Sequence, residues 1–232
     1  MTGDGLSPLP DPAALLFDLD GTLVDTVETR IRAWLDVFRE EGIRATREQV
    51  APLIGSDGKR LAKEISALAG RALDDEAAER VDKHSGEIYD RLNTDPRPLP
   101  AVRELLRSLA GARPRWAVAT SSRREQVKRS LDSLGLPSEP RVVDGSHVEE
   151  AKPAPDLLLL AARELDVPPA ACWYVGDSTW DMAAALAAGM IPIGVTTGAV
   201  DRSALVGSGA AVALDSLEPL LHELRRRRLV RG

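Results

Sequence analysis

Asp18 and Asp20 stand one residue apart in FDLDGT, behind an apolar run and ahead of a Gly-Thr turn. Two carboxylates so placed repel each other and cost free energy unless a cation or a proton sits between them. One of the pair suits a nucleophile and metal ligand, the other an acid and base. The plainer alternative is a turn, since Asp and Gly commonly end strands. Farther along, ATSS (119–122) closes a second apolar run. Thr120, with Ser121 beside it, places a hydroxyl at a strand tip next to exposed helix N–H groups, where a phosphate can bind. Ser122 and Glu125 fit a capping box for the helix that follows. In AKPAPD (151–156), Lys152 precedes a proline and is held extended before a helix that Pro155 can open. It offers the fixed positive charge that an anion-handling site needs, although a surface lysine would read the same. In GDSTWDM (176–182), Asp177 and Asp181 are four apart, so a helix starting at Ser178 or Thr179 turns both toward a strand tip. An acid in the first turn of a helix also complements the dipole, which is the alternative for Asp181. Asp177 with Asp18 makes an oxygen-donor site of the kind Mg2+ occupies.

The elements that must position these groups are legible as patterns. AALLF (13–17), WAVA (116–119), RVV (141–143), CWYVG (172–176), IPIGV (191–195) and AAVAL (210–214) alternate with helical segments. Alternation of this kind predicts an α/β fold, a Rossmann-like, mostly parallel sheet with helices on both faces. Such sheets bind ligands outside the carboxyl ends of their strands. From Val24 to Asp95 no strand pattern occurs; Val27, Ile31, Trp34, Leu35 and Phe38 form one helical stripe, Leu61, Ile65 and Leu68 a second, and Val81, Ile88 and Leu92 a third. A helical domain over 24–95 is therefore expected, inserted into a core of 1–23 and 96–232 and returning through the stiff NTDPRPLP.

Thirty Lys and Arg stand against 36 Asp and Glu, for a formal charge of −6, which disfavours nucleic acid or an anionic membrane as partner. No run approaches the ~20 apolar residues that cross a bilayer. Cys172 is the single cysteine, and it forms no zinc-ligand spacing with His84, His147 or His222. A cytoplasmic, unprocessed protein acting on small molecules is the expectation. LRRRRLVR (224–231) reads as a solvated helix end favoured by the dipole. GSDGKR (55–60) presents Lys59 and Arg60 between two helices of the insertion, while a plain turn in which Asp57 caps the next helix explains the same letters.

In chain order, Asp18 with Asp20, then Thr120, Lys152, and Asp177 with Asp181 resemble the four motifs of the haloacid dehalogenase superfamily of phosphohydrolases. The helical insertion after the first motif resembles the C1 cap of that superfamily. The resemblance covers the chain except for its first dozen residues, and it implies a capped core, Mg2+ dependence and a phosphoaspartyl intermediate. It implies that Asp18 is nucleophile and metal ligand, and that Asp20 is acid and base with its backbone carbonyl on the metal. Thr120, Ser121 and Lys152 would bind phosphoryl oxygens, and Asp177 would complete the metal site. Asp181 would orient a metal-bound water or Lys152, and Lys59, on the cap loop, would meet the substrate. The implied partner is a small phosphorylated metabolite, and the protein a monomer or small homo-oligomer. The dehalogenase branch lacks an acid at the place of Asp20, so dehalogenation is disfavoured. The β-phosphoglucomutase branch shares all four motifs and is the alternative, although it typically has a histidine where TVETRIRAW carries Arg30.

Overall fold

The computed structural model describes residues 5–112, 114–148 and 150–230. Strand β1 (Ala14–Phe17) is followed by helices α1 (Val27–Glu40), α2 (Arg47–Val50), α3 (Gly58–Leu68) and α4 (Asp75–Leu92), and then by α5 (Val102–Leu109). Strands and helices alternate from there: β2 (Arg115–Ala119), α6 (Arg124–Ser133), β3 (Val142–Val143), α7 (Asp156–Glu164), β4 (Cys172–Gly176) and α8 (Thr179–Ala187). The chain continues through β5 (Ile191–Val195), α9 (Arg202–Gly207), β6 (Val212–Leu214) and α10 (Glu218–Arg226). The strands form one parallel sheet in the order β3-β2-β1-β4-β5-β6.

Period-two alternation sends neighbouring residues to opposite faces, and both faces are buried. Leu15, Phe17, Val118, Trp173 and Val175 pack with residues of α5, α6 and α10. Ala14, Leu16, Ala117, Ala119 and Tyr174 pack with α7 and α8. The parallel order places β1 between β2 and β4. The chain therefore reverses its direction of travel across the sheet at β1, the place where open sheets leave a crevice at their carboxyl ends.

The helices between β1 and α5 have an apolar cluster of their own, including Ile31, Trp34, Phe38, Leu61, Ile65, Val81 and Ile88. Their starts are set locally. Asp57 accepts from the Arg60 N–H at 3.0 Å to cap α3, and Asp74 accepts from the Ala77 N–H at 2.7 Å to cap α4. Leu68, read as part of the α3 stripe, is 67% exposed, because the helix ends there and the packed face has run out. The outgoing and returning crossings pair with each other: the Asp25 N–H donates to the Arg97 carbonyl at 2.9 Å and the Leu99 N–H to the Leu23 carbonyl at 3.0 Å.

The basic C-terminal run is only in part the solvated helix end that its letters suggest, since Arg226 and Arg228 are exposed and Arg227 is not; Arg231 lies outside the described residues. The Arg227 side chain is buried and donates to Glu223 at 2.7 Å, to the Leu9 carbonyl at 2.9 Å, to Asp11 at 2.7 Å and to the Leu6 carbonyl at 2.6 Å. Its guanidinium also lies over the Trp173 ring. One residue therefore ties α10 and the N-terminal segment to the sheet. Arg227→Ala leaves Glu223 with Arg226 as its basic partner and opens the tie to the N-terminal segment, and should lower stability by about 2 kcal/mol, a Tm fall of roughly 4–8 °C for a chain of this size. A Tm within about 2 °C of the parent in thermal unfolding would show that the tie contributes little.

Candidate active site

Three adjacent strands end in polar residues. Asp18 follows β1, Thr120 follows β2 and Asp177 follows β4. The sheet ladder carries the backbone into the site, since the Asp18 N–H donates to the Val175 carbonyl at 2.9 Å and the Thr120 N–H to the Val143 carbonyl at 3.0 Å. Lys152 arrives from the segment between β3 and α7 and is fully buried. Its Nζ donates to Asp18 Oδ1 at 2.6 Å, to Asp181 Oδ1 at 2.7 Å and to the Tyr174 hydroxyl at 3.1 Å. Burial opposes its charge, but the two carboxylates outweigh burial and raise its pKa well above the ordinary value. Lys152 is thus no surface lysine. Tyr174, on the α7 side of β4, gave no sign of this role in the sequence, where it reads as one more core aromatic.

Asp181 satisfies both readings of its position. Ser178 caps α8 by accepting from the Asp181 N–H at 3.2 Å, and Asp181 Oδ2 accepts in return from the Ser178 N–H at 2.9 Å and from its hydroxyl at 2.6 Å. Oδ1 is taken by Lys152 and by the Tyr174 hydroxyl at 3.0 Å. With both oxygens engaged, Asp181 acts on Lys152. Asp177 Oδ1 accepts from the Thr22 hydroxyl at 3.0 Å. A Cβ on Gly21, whose φ is +79°, would lie 2.4 Å from Asp177 Oδ2, and one on Gly198 would lie 1.8 Å from it. Both positions must therefore lack side chains for this carboxylate to fit.

One oxygen each of Asp18, Asp177 and Asp181 lies within 4.8 Å of the others. Three carboxylates crowd one ammonium in a buried place, so full ionisation of all three would leave two uncompensated negative charges. Burial pushes the Asp18 carboxyl up to about 7, with Asp181 and Asp20 adding to the rise and Lys152 opposing it. Burial also raises Asp177 well above the carboxylate range, helped by Asp181 and Asp18. A divalent cation would relieve both the repulsion and the charge excess. The all-oxygen donor set fits a hard cation, with Asp18 and Asp177 as the carboxylates that have oxygens to give.

The Asp20 carboxylate faces elsewhere. Oδ1 accepts from the Thr26 hydroxyl at 2.5 Å and from the Tyr89 hydroxyl at 3.1 Å. Oδ2 accepts from Arg30 Nε at 3.2 Å, Arg30 Nη2 at 2.9 Å and the Ser122 hydroxyl at 3.0 Å. Burial pushes this carboxyl up, but the Arg30 charge and the hydrogen bonds from Thr26, Arg30 and Ser122 together hold it below the ordinary value. Arg30 lies with its guanidinium carbon 3.4 Å from the centre of the Tyr89 ring. Ser122 does not cap α6 with Glu125. The helix starts at Arg124, and the Arg123 N–H donates to Gln126 Oε1 at 3.3 Å. A charge-assisted bond to a buried carboxylate outweighs a cap that water can replace.

A pocket opens above Asp18 and Asp20. It is lined by Thr120, Ser121, Ser122 and Lys152 from the sheet side, and by Trp34, Gly55, Ser56, Leu61, Asp82 and Ser85 from the helical segment. The structure thus brings Asp18, Asp20, Thr120, Ser121, Lys152, Asp177 and Asp181 together. It does not bring Lys59 there. Lys59 is half-buried on an outer groove beside Pro153 and Pro155, its Nζ 3.9 Å from Glu79, and GSDGKR is the turn in which Asp57 caps α3. Thr26, Tyr89 and Ser122 escaped the sequence reading because nothing local links them to Asp20.

The profile of the family described as haloacid dehalogenase-like hydrolase matches residues 15–195. The fructose-1-phosphate phosphatase YqaB of Escherichia coli (strain K12) is 35% identical over 184 residues, which are 79% of this chain and 96% of that protein. The β-phosphoglucomutase of Bacillus subtilis (strain 168) is 29% identical over 191 residues, 80% of this chain and 84% of that one. A hydrolase from Pseudomonas syringae has a similar solved structure, with a TM-score of 0.86 and 32% identity over 92% of this chain and 98% of that one.

Proposed function

Since the chain belongs to the haloacid dehalogenase-like hydrolases, we propose that it is a Mg2+-dependent phosphatase acting on a small phosphomonoester through a phosphoaspartyl intermediate on Asp18. The observation that carries this reading is Asp18 held by the buried Lys152 at 2.6 Å, in a cluster with Asp177, at the base of a pocket that Asp20 also lines.

An Asp18 oxygen attacks phosphorus while Lys152 Nζ and the Thr120 and Ser121 hydroxyls hold the phosphoryl oxygens. The bond from phosphorus to the leaving oxygen breaks, and that oxygen takes a proton from Asp20. Ionised Asp20 then takes a proton from water, whose oxygen attacks phosphorus and splits the Asp18 acyl phosphate, giving inorganic phosphate and reprotonated Asp20. When bound by Asp18, Asp177 and the backbone carbonyl of Asp20, Mg2+ would neutralise charge on the phosphoryl oxygens. Asp20 as held by Arg30 is ionised, the form the second half-reaction uses. Release of Arg30, which rides on α1, would remove the largest effect opposing burial, leaving the Thr26 and Ser122 hydrogen bonds, and would shift Asp20 toward the proton needed in the first.

Residues 24–95 serve as a cap over this pocket, supplying its lid from α1, α3 and α4. A cytoplasmic location and a small phosphorylated metabolite as the partner accord with the composition, and no helix among the described residues is long and apolar enough to cross a membrane. The β-phosphoglucomutase reading is weakened because Arg30 is committed to Asp20 and Ser122. With hexose 1-phosphates and an aryl phosphate as substrates, free phosphate should accumulate with Mg2+, stop with excess chelator and resume when Mg2+ is restored. Isomerised sugar phosphate outpacing free phosphate would make the protein a mutase, and full activity in chelator would remove the metal.

A further inference from the structure

The part of the pocket that would face a leaving group has an unusual charge inventory. Arg30 and Lys152 are the basic residues among those lining it, and both are already paired: Arg30 with Asp20 at 2.9 Å, and Lys152 with Asp18 and Asp181 at 2.6 and 2.7 Å. The lid contributes an acid instead. Asp82, on α4, lines the pocket with Ser85 from the same helix, Gln126 from α6 and the Trp34 ring from α1. Arg123 touches Asp82 at 3.3 Å but also pairs with Glu79, so one guanidinium is shared between two carboxylates.

Two glycines admit these polar groups. A Cβ on Gly58 would lie 1.9 Å from Asp82 Oδ1, and one on Gly86 would lie 1.9 Å from Gln126 Nε2. Gly86 sits inside α4, where glycine costs about 1 kcal/mol relative to alanine, so its presence is offset by the room it gives Gln126. The wall therefore presents acceptors on Asp82 and Ser85, a neutral amide donor on Gln126, and an apolar ring. Ser85 donates its own hydroxyl proton to the Asp82 carbonyl at 2.8 Å, which leaves its oxygen to accept.

We propose that this wall selects phosphate esters with an uncharged, hydroxyl-bearing leaving group, a polyol or sugar, and rejects those whose leaving group carries a carboxylate. The inference rests on the phosphatase reading and specifies its substrate class. Hydroxyls donate to Asp82 and Ser85, and their carbons lie against Trp34. A carboxylate can donate to neither, meets the Asp82 charge across a half-buried pocket, and finds no uncommitted cation among the described lining residues.

Glycerol 1-phosphate and 3-phosphoglycerate test this directly, since they differ in a hydroxymethyl group against a carboxylate. With Mg2+ present, kcat/KM should favour glycerol 1-phosphate by about 10²-fold or more. Asp82→Asn keeps the shape and removes the charge, and should shrink that ratio at least about tenfold. Gly58→Ala displaces Asp82 without changing its charge and should shrink it as well, which guards against an Asp82 variant that fails to fold. 4-Nitrophenyl phosphate separates the two readings. If it is hydrolysed and 3-phosphoglycerate equals or beats glycerol 1-phosphate, the selection is overturned while the phosphatase stands. If none of the three is hydrolysed, both fall. A ratio untouched by either variant would overturn the role of Asp82.

Discussion

Asp18→Asn is expected to lower phosphate release by at least about 10⁴-fold, the scale on which loss of a nucleophile acts. The amide cannot form the acyl phosphate, and it offers a metal a weaker oxygen. The fold should survive, because an Asn oxygen can still accept from Lys152, and Lys152 keeps Asp181 at 2.7 Å as its charged partner. Thermal unfolding of the variant should therefore lie within a few degrees of the parent while the assay reads background. Turnover within tenfold of the parent would show that Asp18 is not the nucleophile, whatever its place at the tip of β1.

Lys152→Met should damage both activity and stability, and the metal should separate the two. The substitution keeps much of the volume but leaves Asp18, Asp177 and Asp181 buried around no cation. Breaking a buried pair from one side costs about 3–5 kcal/mol, and loss of a charge that holds the transferring phosphoryl group should cost about 10²–10³ in kcat. Mg2+ should raise the Tm of the variant more than that of the parent, because the uncompensated carboxylates gain more from the ion. The pH dependence has a definite sign. Asp18 has its folded pKa raised to about 7 from an ordinary value of 3.8, so the folded state holds more protons than the unfolded one in that window. Its contribution to stability is present at low pH and lost as pH rises toward 7. Without Lys152 that loss deepens, so the variant should stand nearer the parent at pH 5 than at pH 8. Equal Mg2+ shifts in the two proteins, or a stability gap that does not change with pH, would show that Lys152 does not balance this cluster.

Gly21, Thr120 and Asp177 illustrate why much of the site was legible beforehand. Strand tips are local features: an apolar run, a turn and the residue after it lie within a few positions of one another, and a parallel sheet gathers such tips at one edge. The helical segment was legible for the same reason, as period-3.6 stripes, with Asp57 readable as a cap between the first and second, whereas the Asp74 cap of α4 emerged with the structure. Leu68 marks the limit, since a stripe does not say where the partner surface ends.

What the amino-acid sequence by itself determined was therefore the α/β class, the helical insertion and the acids and hydroxyls at the strand ends. What only the tertiary structure decided was which side chains share charges and protons. Asp20 meets Tyr89 and Ser122 across 69 and 102 positions, and Lys152 meets Asp18 across 134. Lys59 points into an outer groove while Asp82, on another helix, lines the pocket, and Arg227 folds back on the N-terminal segment instead of into solvent. Backbone propensity and hydrophobic period act over a few residues, whereas the pairing of buried charges is settled by desolvation. Once packing removes water from a carboxylate, the donor that replaces it is whichever side chain the fold has brought within about 3 Å, however distant in the chain.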